Sequence, residues 1–284
     1  MNGILVVNKP IDYTSRDVVN KISGILKTKK VGHTGTLDPI ATGVLVVCVG
    51  NTTKLCELLT SEYKEYIATI KLGIKTDTLD TTGTVIDEKE YNVSEQQIKE
   101  VLNSFLGTSI QTTPIYSAVK VNGKKLYEYA REGIQVELPK REINITNIEM
   151  ISFKDDEIIF KTTVSKGTYI RALIDDICTK LNTVGTMSNL QRTKQGNFNI
   201  EDSYTIEDIQ NGNYKLLSIE ESLTNLEQIT INEELYNQVK NGSIIEKTFK
   251  NDMACLSYEG KIIAIYQTYH KDNALAKPFK MFIN

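Results

Sequence analysis

A single aspartate in a loop rich in glycine and threonine is the residue best placed to do chemistry. Asp38 stands between Leu37 and Pro39, with Gly35 before it and Gly43 after it. The proline biases Asp38 toward an extended backbone and prevents a regular helix through that point, while the glycines let a ligand approach the backbone closely. A carboxylate held in this way could act on a substrate, although an Asp-Pro turn that only connects two elements follows the same pattern.

The remaining residue types exclude several other kinds of catalysis. The two histidines, His33 and His270, cannot form a histidine cluster that holds a metal ion, and they offer few candidates for a Ser-His-Asp triad. The four cysteines are widely scattered and form no Cys-x-x-Cys pair, so neither a structural zinc site nor a disulfide framework is expected. Any catalysis is therefore expected to depend on a carboxylate.

Two other side chains are candidates for a functional role. Arg171 lies in the first turn of a predicted helix, where the helix dipole disfavours positive charge, and it is off the apolar stripe of that helix. A pair with Asp38, a contact to a phosphate of a ligand, or an intrahelical pair with Asp175 would each explain it. Tyr66 shares a strand face with apolar residues, which is typical of a core tyrosine but also of a ring that stacks on a base.

Periodicity and capping signals predict the elements that position these residues. Strands are expected over residues 4–7, 43–49, 66–72, 143–152 and 157–165, and helices after Thr14, after Ser94 and from about Thr168. Because strands and helices do not alternate regularly, the pattern predicts an α+β fold with a mixed sheet and flanking helices. An acidic stretch over residues 201–235 indicates a boundary, so we expect a large domain over residues 1–225 and a small β-rich module over residues 226–284.

The net charge of −3 hides an uneven distribution along the 284 residues. Residues 1–54 hold seven bases and three acids. Residues 120–131 hold four bases, Lys120, Lys124, Lys125 and Arg131, and a single acid, Glu128. Such basic patches bind phosphates even on an acidic protein, although solvated surface lysines give the same pattern. Because no apolar run is long enough to cross a bilayer and no secretory signal is apparent, a cytoplasmic protein is expected.

Twelve consecutive residues around Asp38 resemble the catalytic signature of the bacterial tRNA pseudouridine synthase B family. They are residues 32–43, Gly-His-Thr-Gly-Thr-Leu-Asp-Pro-Ile-Ala-Thr-Gly. Residues 5–10, 64–66, 117–120, 127–131, 165–171 and 190–192 resemble further family segments in the same order, so the similarity covers about residues 3–195. Thr113 and Gln191 depart from the family pattern, where a second proline and a basic residue are usual.

The resemblance implies an isomerase that converts uridine 55 in the T-loop of tRNA to pseudouridine on a flipped-out nucleotide. It assigns Asp38 as the essential carboxylate and predicts substrate contacts from His33, Tyr66, Arg171, Leu190, Lys9 and Lys120. It also implies a mainly antiparallel sheet, an RNA-gripping insertion at about residues 117–140 and a PUA-like RNA-binding module at the C-terminus. The reaction needs no cofactor, and the expected partner is tRNA, with no membrane, no obligate protein partner and a monomeric chain.

Several of these assignments have plainer alternatives. His33 could be a loop histidine with local hydrogen bonds, Leu190 could belong to the core, and Lys9 could brace the loop rather than contact RNA. A nucleoside or glycoside hydrolase would also need an aspartate, but no second carboxylate stands out near Asp38. A non-catalytic RNA-binding protein is a second alternative. A pseudouridine synthase guided by a separate RNA is a third, which the lack of a long basic extension disfavours.

Overall fold

The computed structural model describes residues 1–60 and 62–283 of the chain. Its strands are β1 Gly3–Lys9, β2 Val31–His33, β3 Thr42–Val49, β4 Lys64–Leu72, β5 Ile74–Thr76, β6 Val85–Glu88, β7 Gly107–Thr112, β8 Lys120–Val121, β9 Lys124–Lys125, β10 Lys140–Lys154, β11 Glu157–Val164, β12 Gly185–Gln195, β13 Phe198–Asn199, β14 Glu227–Thr230, β15 Ile245–Glu246, β16 Met253–Tyr258, β17 Lys261–Tyr269 and β18 Asp272–Met281. Its α-helices are α1 Ser15–Ile25, α2 Cys56–Thr60, α3 Glu95–Asn103, α4 Leu126–Arg131, α5 Ile170–Lys180, α6 Ile206–Gln210, α7 Ile219–Ser222 and α8 Glu233–Val239.

A nine-stranded sheet carries the segments predicted to hold the site. Its strands run in the order β1-β3-β12-β4-β11-β10-β7, with β2 beside β3 and β13 beside β12. Most neighbours are antiparallel, and β12 pairs with β3 in parallel, where Arg192 lies opposite Gly43. This pairing brings the loop that precedes β3, and with it Asp38, next to the C-terminal half of β12.

Alternating side chains of β3 separate two apolar cores, because successive residues of a strand point to opposite faces. Leu45 and Val47 belong to a core that includes apolar residues of α1 and α5. Val44 and Val46 belong to a second core, which includes residues of the C-terminal β17. Both faces of the strand are therefore covered, which explains its nearly continuous apolar run.

The C-terminal region forms a five-stranded sheet in the order β14-β16-β17-β18-β15. Its Cys255, Ile262 and Ile265 share the second core with strands of the large sheet. At its edge, Lys280 pairs with Glu57 at 2.9 Å. The domain boundary between residues 225 and 226 stays a prediction.

The predicted α+β class with a mainly antiparallel sheet is confirmed, and so are the capping signals. Thr14 and Ser94 each form a capping box at the start of α1 and α3. The third predicted helix begins at Ile170, slightly later than expected. Asn122 and Gly123 both have positive φ and join β8 to β9 as a two-residue hairpin.

Across residues 1–60 and 62–283, no helix is both long and apolar enough to span a membrane.

Candidate active site

A cleft of about 430 Å³ opens between the loop that precedes β3, strands β4 and β12, and the start of α5. It brings together four of the predicted site residues, Asp38, Tyr66, Arg171 and Leu190. These residues come from segments separated by up to 150 positions in the chain, and the sheet order described above places them side by side. The cleft is therefore the candidate active site.

Asp38 and Arg171 form a two-pronged ion pair in this cleft. The Arg171 Nε donates to Oδ2 of Asp38 at 2.9 Å, and Nη2 donates to Oδ1 at 3.1 Å. The Arg171 side chain is 6% exposed and that of Asp38 is 34% exposed, so the carboxylate remains open to the cleft while the guanidinium is covered. The predicted pairing of these residues is confirmed, and the alternative partner Asp175 instead binds Lys75.

The remaining nitrogens of Arg171 are also occupied. Nη1 donates to the Thr78 carbonyl at 2.8 Å, and Nη2 donates to the Tyr116 carbonyl at 3.0 Å. The buried carboxylate of Asp80 lies 3.8 Å from Nη1 and supplies a second negative charge. Because its planar fork is held from several sides, Arg171 can present its other edge to Asp38 in a fixed orientation.

The start of α5 is fixed by a side chain from β7. The buried Gln111 donates from Nε2 to the Tyr169 carbonyl at 3.1 Å and accepts from the Tyr169 N–H at 2.8 Å. The guanidinium of Arg141 lies 5.3 Å from the centre of the Tyr169 ring. Since Tyr169 directly precedes the helix, these contacts set the position from which Arg171 reaches Asp38.

Two buried side chains of β12 hold the first part of the loop that carries Asp38. The Gln195 Nε2 donates to the carbonyl and hydroxyl oxygens of Thr34, at 2.8 and 2.6 Å. The Arg192 Nη2 donates to the Gly35 carbonyl at 3.3 Å. Because residues 34–39 form neither helix nor strand, their backbone groups depend on such side chains for hydrogen bonds.

The second part of the loop is held from the N-terminal side of the chain. The Ser15 Oγ accepts from the Leu37 N–H at 2.9 Å. The Lys9 Nζ donates to the carbonyls of Pro10, Tyr13 and Pro39, at 2.8, 2.5 and 3.2 Å. Lys9 is 0% exposed, so it braces the residue that follows Asp38 and offers no atom to RNA in this structure. We therefore propose a bracing role for Lys9 in place of the predicted substrate contact.

Tyr66 and Leu190 form neighbouring parts of the cleft wall. Tyr66 lies on β4 opposite Thr162 and Arg192, and Leu190 lies on β12 opposite Ala68. Both side chains belong to the main core and are almost completely buried, yet both line the cleft. An apolar residue and an aromatic ring next to a carboxylate make a pocket suited to a planar base.

His33 and Lys120 are not among the residues that line the cleft. His33 ends β2 and is half-buried; burial first, and the Arg16 charge second, lower the pKa of its imidazole, so the ring is neutral at pH 7. Its Nδ1 is buried without a hydrogen-bond partner among the described residues. Lys120 is exposed on β8. Their predicted RNA contacts stay predictions.

The predicted insertion is a small structured unit whose basic side chains rest on tyrosines. Leu126 at the start of α4 is fully buried and anchors it. The Lys124 ammonium lies 5.0 Å from the centre of the Tyr129 ring, and the Lys125 ammonium lies 5.2 Å from that of Tyr127. The Lys124 ammonium also pairs with Glu132, and the Lys125 ammonium donates to the Tyr127 hydroxyl at 3.0 Å, so both half-buried cations are held in place.

Sequence reasoning missed Lys64 and Asp80 as site residues. Lys64 lines the cleft, and burial first, with the Arg192 charge second, lowers the pKa of its ammonium to about 8. Strand alternation was the available signal, because Lys64 lies two positions before Tyr66 and therefore on the same face of β4. Nothing in the local sequence marked Asp80, which approaches Arg171 only through the fold.

Comparisons with known proteins agree with this site. The model of the TruB family pseudouridylate synthase (N terminal domain) matches residues 23–170, and that of the tRNA pseudouridylate synthase B C-terminal domain matches residues 171–229. The tRNA pseudouridine synthase B of Clostridium tetani is 44% identical over 94% of this chain and 96% of its own length. That of Bacillus subtilis is 42% identical over 100% of this chain and 98% of its own length.

Solved structures show the same fold. A Cbf5-Nop10-Gar1 complex contains a chain that superimposes with a TM-score of 0.77 and 25% identity, covering 99% of this chain and 85% of that one. An archaeal box H/ACA sRNP Nop10-Cbf5 complex gives a TM-score of 0.74 at 23% identity, covering 99% and 86%. The family models and the close relatives together identify this chain as a member of the TruB family of pseudouridylate synthases.

Proposed function

We propose that this chain isomerises uridine 55 in the T-loop of tRNA to pseudouridine, with Asp38 as the essential carboxylate acting on a flipped-out uridine. Membership of the family makes the chain an isomerase, a tRNA pseudouridine synthase. The observation that supports the assignment of Asp38 is its position. It is the carboxylate that lines the cleft, it is partly open, and a buried arginine orients it.

The reaction breaks the bond between N1 of uracil and C1′ of ribose and joins C1′ to C5 of the same base. C5 loses a proton and N1 gains one, so nothing is added and the substrate is not oxidised or reduced. A base inside a folded RNA loop has to leave its stack to reach such a cleft. Tyr66 stacks on the extruded uracil, Leu190 forms an apolar wall, and Arg171 holds Asp38 in a fixed orientation.

The other predicted residues act outside the cleft. His33 occupies the position that the uridine leaves, Lys120 and the insertion at about residues 117–140 grip the T-loop, and Lys9 braces the loop from behind. The C-terminal module over residues 226–284 adds RNA contacts to the catalytic domain over residues 1–225. The enzyme works in the cytoplasm as a monomer, without an obligate protein partner.

The test is incubation of the pure protein with an unmodified tRNA transcript, followed by mapping of pseudouridine at single-nucleotide resolution. We expect pseudouridine at position 55, no change in RNA mass, and no product from Asp38→Asn, which preserves the side-chain shape. Asp87→Asn, a change at an exposed carboxylate on β6, serves as the matched control and should be fully active. Free uracil would indicate hydrolysis, and modification at another position would refute the substrate assignment.

A further inference from the structure

We propose that the cleft contains a subsite for one phosphodiester of the RNA backbone next to the extruded uridine, formed by Lys64 and Lys166, with the buried Arg192 adding positive charge to it. The three basic side chains line the same cleft as Asp38. The proposal rests on the proposed function, because the phosphate belongs to the same RNA. It assigns to the cleft wall a binding task that is separate from the chemistry of Asp38.

Lys64 and Arg192 converge on a single glycine. A Cβ atom placed on Gly35 would lie 3.6 Å from Cε of Lys64 and 3.7 Å from Nη1 of Arg192. Because Gly35 has no side chain, the two cations lie against bare backbone beside the cleft. Lys64 is 7% exposed and Arg192 is 0% exposed, so an anion seated there would contact Lys64, and Arg192 would attract it through its charge without touching it.

Lys64 is buried and forms no ion pair with a carboxylate among residues 1–60 and 62–283. Its Nζ donates to the carbonyls of Thr60 and Glu62, at 2.8 and 2.6 Å. Carbonyls satisfy hydrogen bonds, but they do not neutralise an ammonium. An ammonium has three donors, and no third partner is present among the described residues. The unbalanced charge is also why burial and Arg192 together lower the pKa of this group to about 8.

Arg192 is also buried without a carboxylate partner among the described residues. Its Nε donates to the Val44 carbonyl at 2.6 Å and its Nη2 to the Gly35 carbonyl, yet within the described residues it forms no ion pair. The acid nearest to Lys64 in sequence, Glu62, has its carboxylate bound to the side chain of Asn225 at 2.8 Å. Buried charges are normally paired, so two adjacent unpaired cations indicate that the missing anion comes from the ligand.

A phosphodiester is the anion that fits this position. Lys and Arg are the usual phosphate-binding side chains, Arg through its planar fork and Lys as a point charge. Gly35 precedes Asp38 by three residues, so the subsite lies within about 11 Å of the catalytic carboxylate. That distance spans one nucleotide, so a phosphate flanking the uridine can reach the cations while its base reaches Asp38. The exposed Lys166 then closes the subsite from the solvent side.

The test is a double-mutant cycle between the protein and the RNA backbone. Equilibrium affinities are measured for T-arm stem–loops that carry either normal linkages or one neutral methylphosphonate, placed 5′ or 3′ of the target uridine. With the normal RNA, we expect Lys64→Met and Lys166→Met each to weaken binding about tenfold, the effect of losing a charge-assisted hydrogen bond. The slope of log affinity against log salt should become shallower by about 0.7 to 0.9.

The cycle separates a phosphate contact from general damage. At one of the two neutral linkages, the same substitutions should have almost no further effect on affinity. Lys71→Met, at the exposed far end of β4, is the matched control and should bind both RNAs like the wild type. If the substitutions weakened binding equally for the normal RNA and for both RNAs with a neutral linkage, the proposed subsite would be overturned. Because Lys166 is exposed, its variant keeps the test decisive if Lys64→Met fails to fold. The affinities are read independently of pseudouridine formation, so an inactive wild type would refute only the proposed function.

Discussion

Replacing Lys9 by methionine removes an ammonium that is fully buried behind the loop of Asp38 and keeps almost the whole length of the side chain. Three carbonyls, those of Pro10, Tyr13 and Pro39, lose this donor. Because Pro39 follows Asp38 directly, the change loosens the support of the carboxylate without touching the cleft itself. It therefore distinguishes a brace from an RNA contact.

The expected loss of stability is the difference between two opposing terms. The Pro10 and Tyr13 carbonyls are left without a donor, at about 1–3 kcal/mol each or about 4 kcal/mol together, whereas the Pro39 carbonyl still accepts from the Asp12 N–H at 2.9 Å. In the other direction, burial as the main cause lowers the pKa of Lys9 from 10.5 to about 8. Keeping the ammonium charged inside the protein therefore costs about 3 kcal/mol, which methionine recovers. The net destabilisation is about 1 kcal/mol, or roughly 2–4 °C in melting temperature for a chain of this size.

Three measurements on Lys9→Met follow from this estimate. Thermal unfolding should show the lower melting temperature, and single-turnover pseudouridine formation should slow by about 10–100-fold because the carboxylate is misplaced. The affinity for tRNA and its salt dependence should stay within about twofold of the wild type. Lys21→Met, at an exposed position of α1, should match the wild type in all three. Wild-type stability combined with weaker binding and a salt slope shallower by about one would show that Lys9 contacts a phosphate, and the bracing argument would be refuted.

Further predictions concern pH, a glycine and the ion pair. Between about pH 8 and 10.5 the unfolded chain keeps a proton on Lys9 that the folded chain lacks, so this group stabilises the wild type increasingly as pH rises. In urea unfolding, the stability difference between wild type and Lys9→Met should therefore grow by about 2 kcal/mol from about pH 7 to 9.5; a constant difference would contradict the burial of the charge. Gly43→Ala should lower the melting temperature far more than Gly107→Ala. Both glycines have φ near +95°, but only at Gly43 would a Cβ overlap a backbone carbonyl of β12. Equal decreases in melting temperature would exclude that overlap. Arg171→Lys keeps a charge but not the fork, so kcat should fall more than tenfold while tRNA affinity changes less than threefold, and a normal kcat would mean that the two-pronged pair with Asp38 is dispensable.

Much of the fold was predictable because the relevant signals are local. The capping boxes at Thr14 and Ser94 lie within four residues of chain, and they mark where α1 and α3 begin. The Asn122-Gly123 hairpin depends only on two residues that tolerate positive φ. The position of Arg171 in the first turn of a helix indicated that it needs a negative partner, and the family resemblance favoured Asp38 among the alternatives.

The parts that were not predictable depend on which segments the fold brings together. The parallel pairing of β12 with β3 places Arg192 beside Gly35 and Val44, and no spacing within either segment indicates that partner. Asp80 reaches Arg171 from a turn that resembles any other polar turn in the sequence. The family resemblance predicted an RNA contact for Lys9, with a bracing role as the alternative, and no pattern in the sequence indicated that carbonyls of three residues surround its buried ammonium.

The loop of Asp38 is held by distant side chains because its own backbone cannot hold it. Without a helix or strand, residues 34–39 would leave buried N–H and carbonyl groups unpaired, and Gln195, Arg192, Ser15 and Lys9 supply the missing bonds. Two of these side chains are buried cations, and their desolvation offsets part of the stability that their hydrogen bonds give. In return the carboxylate is oriented before RNA arrives, and its geometry need not be reorganised during the reaction.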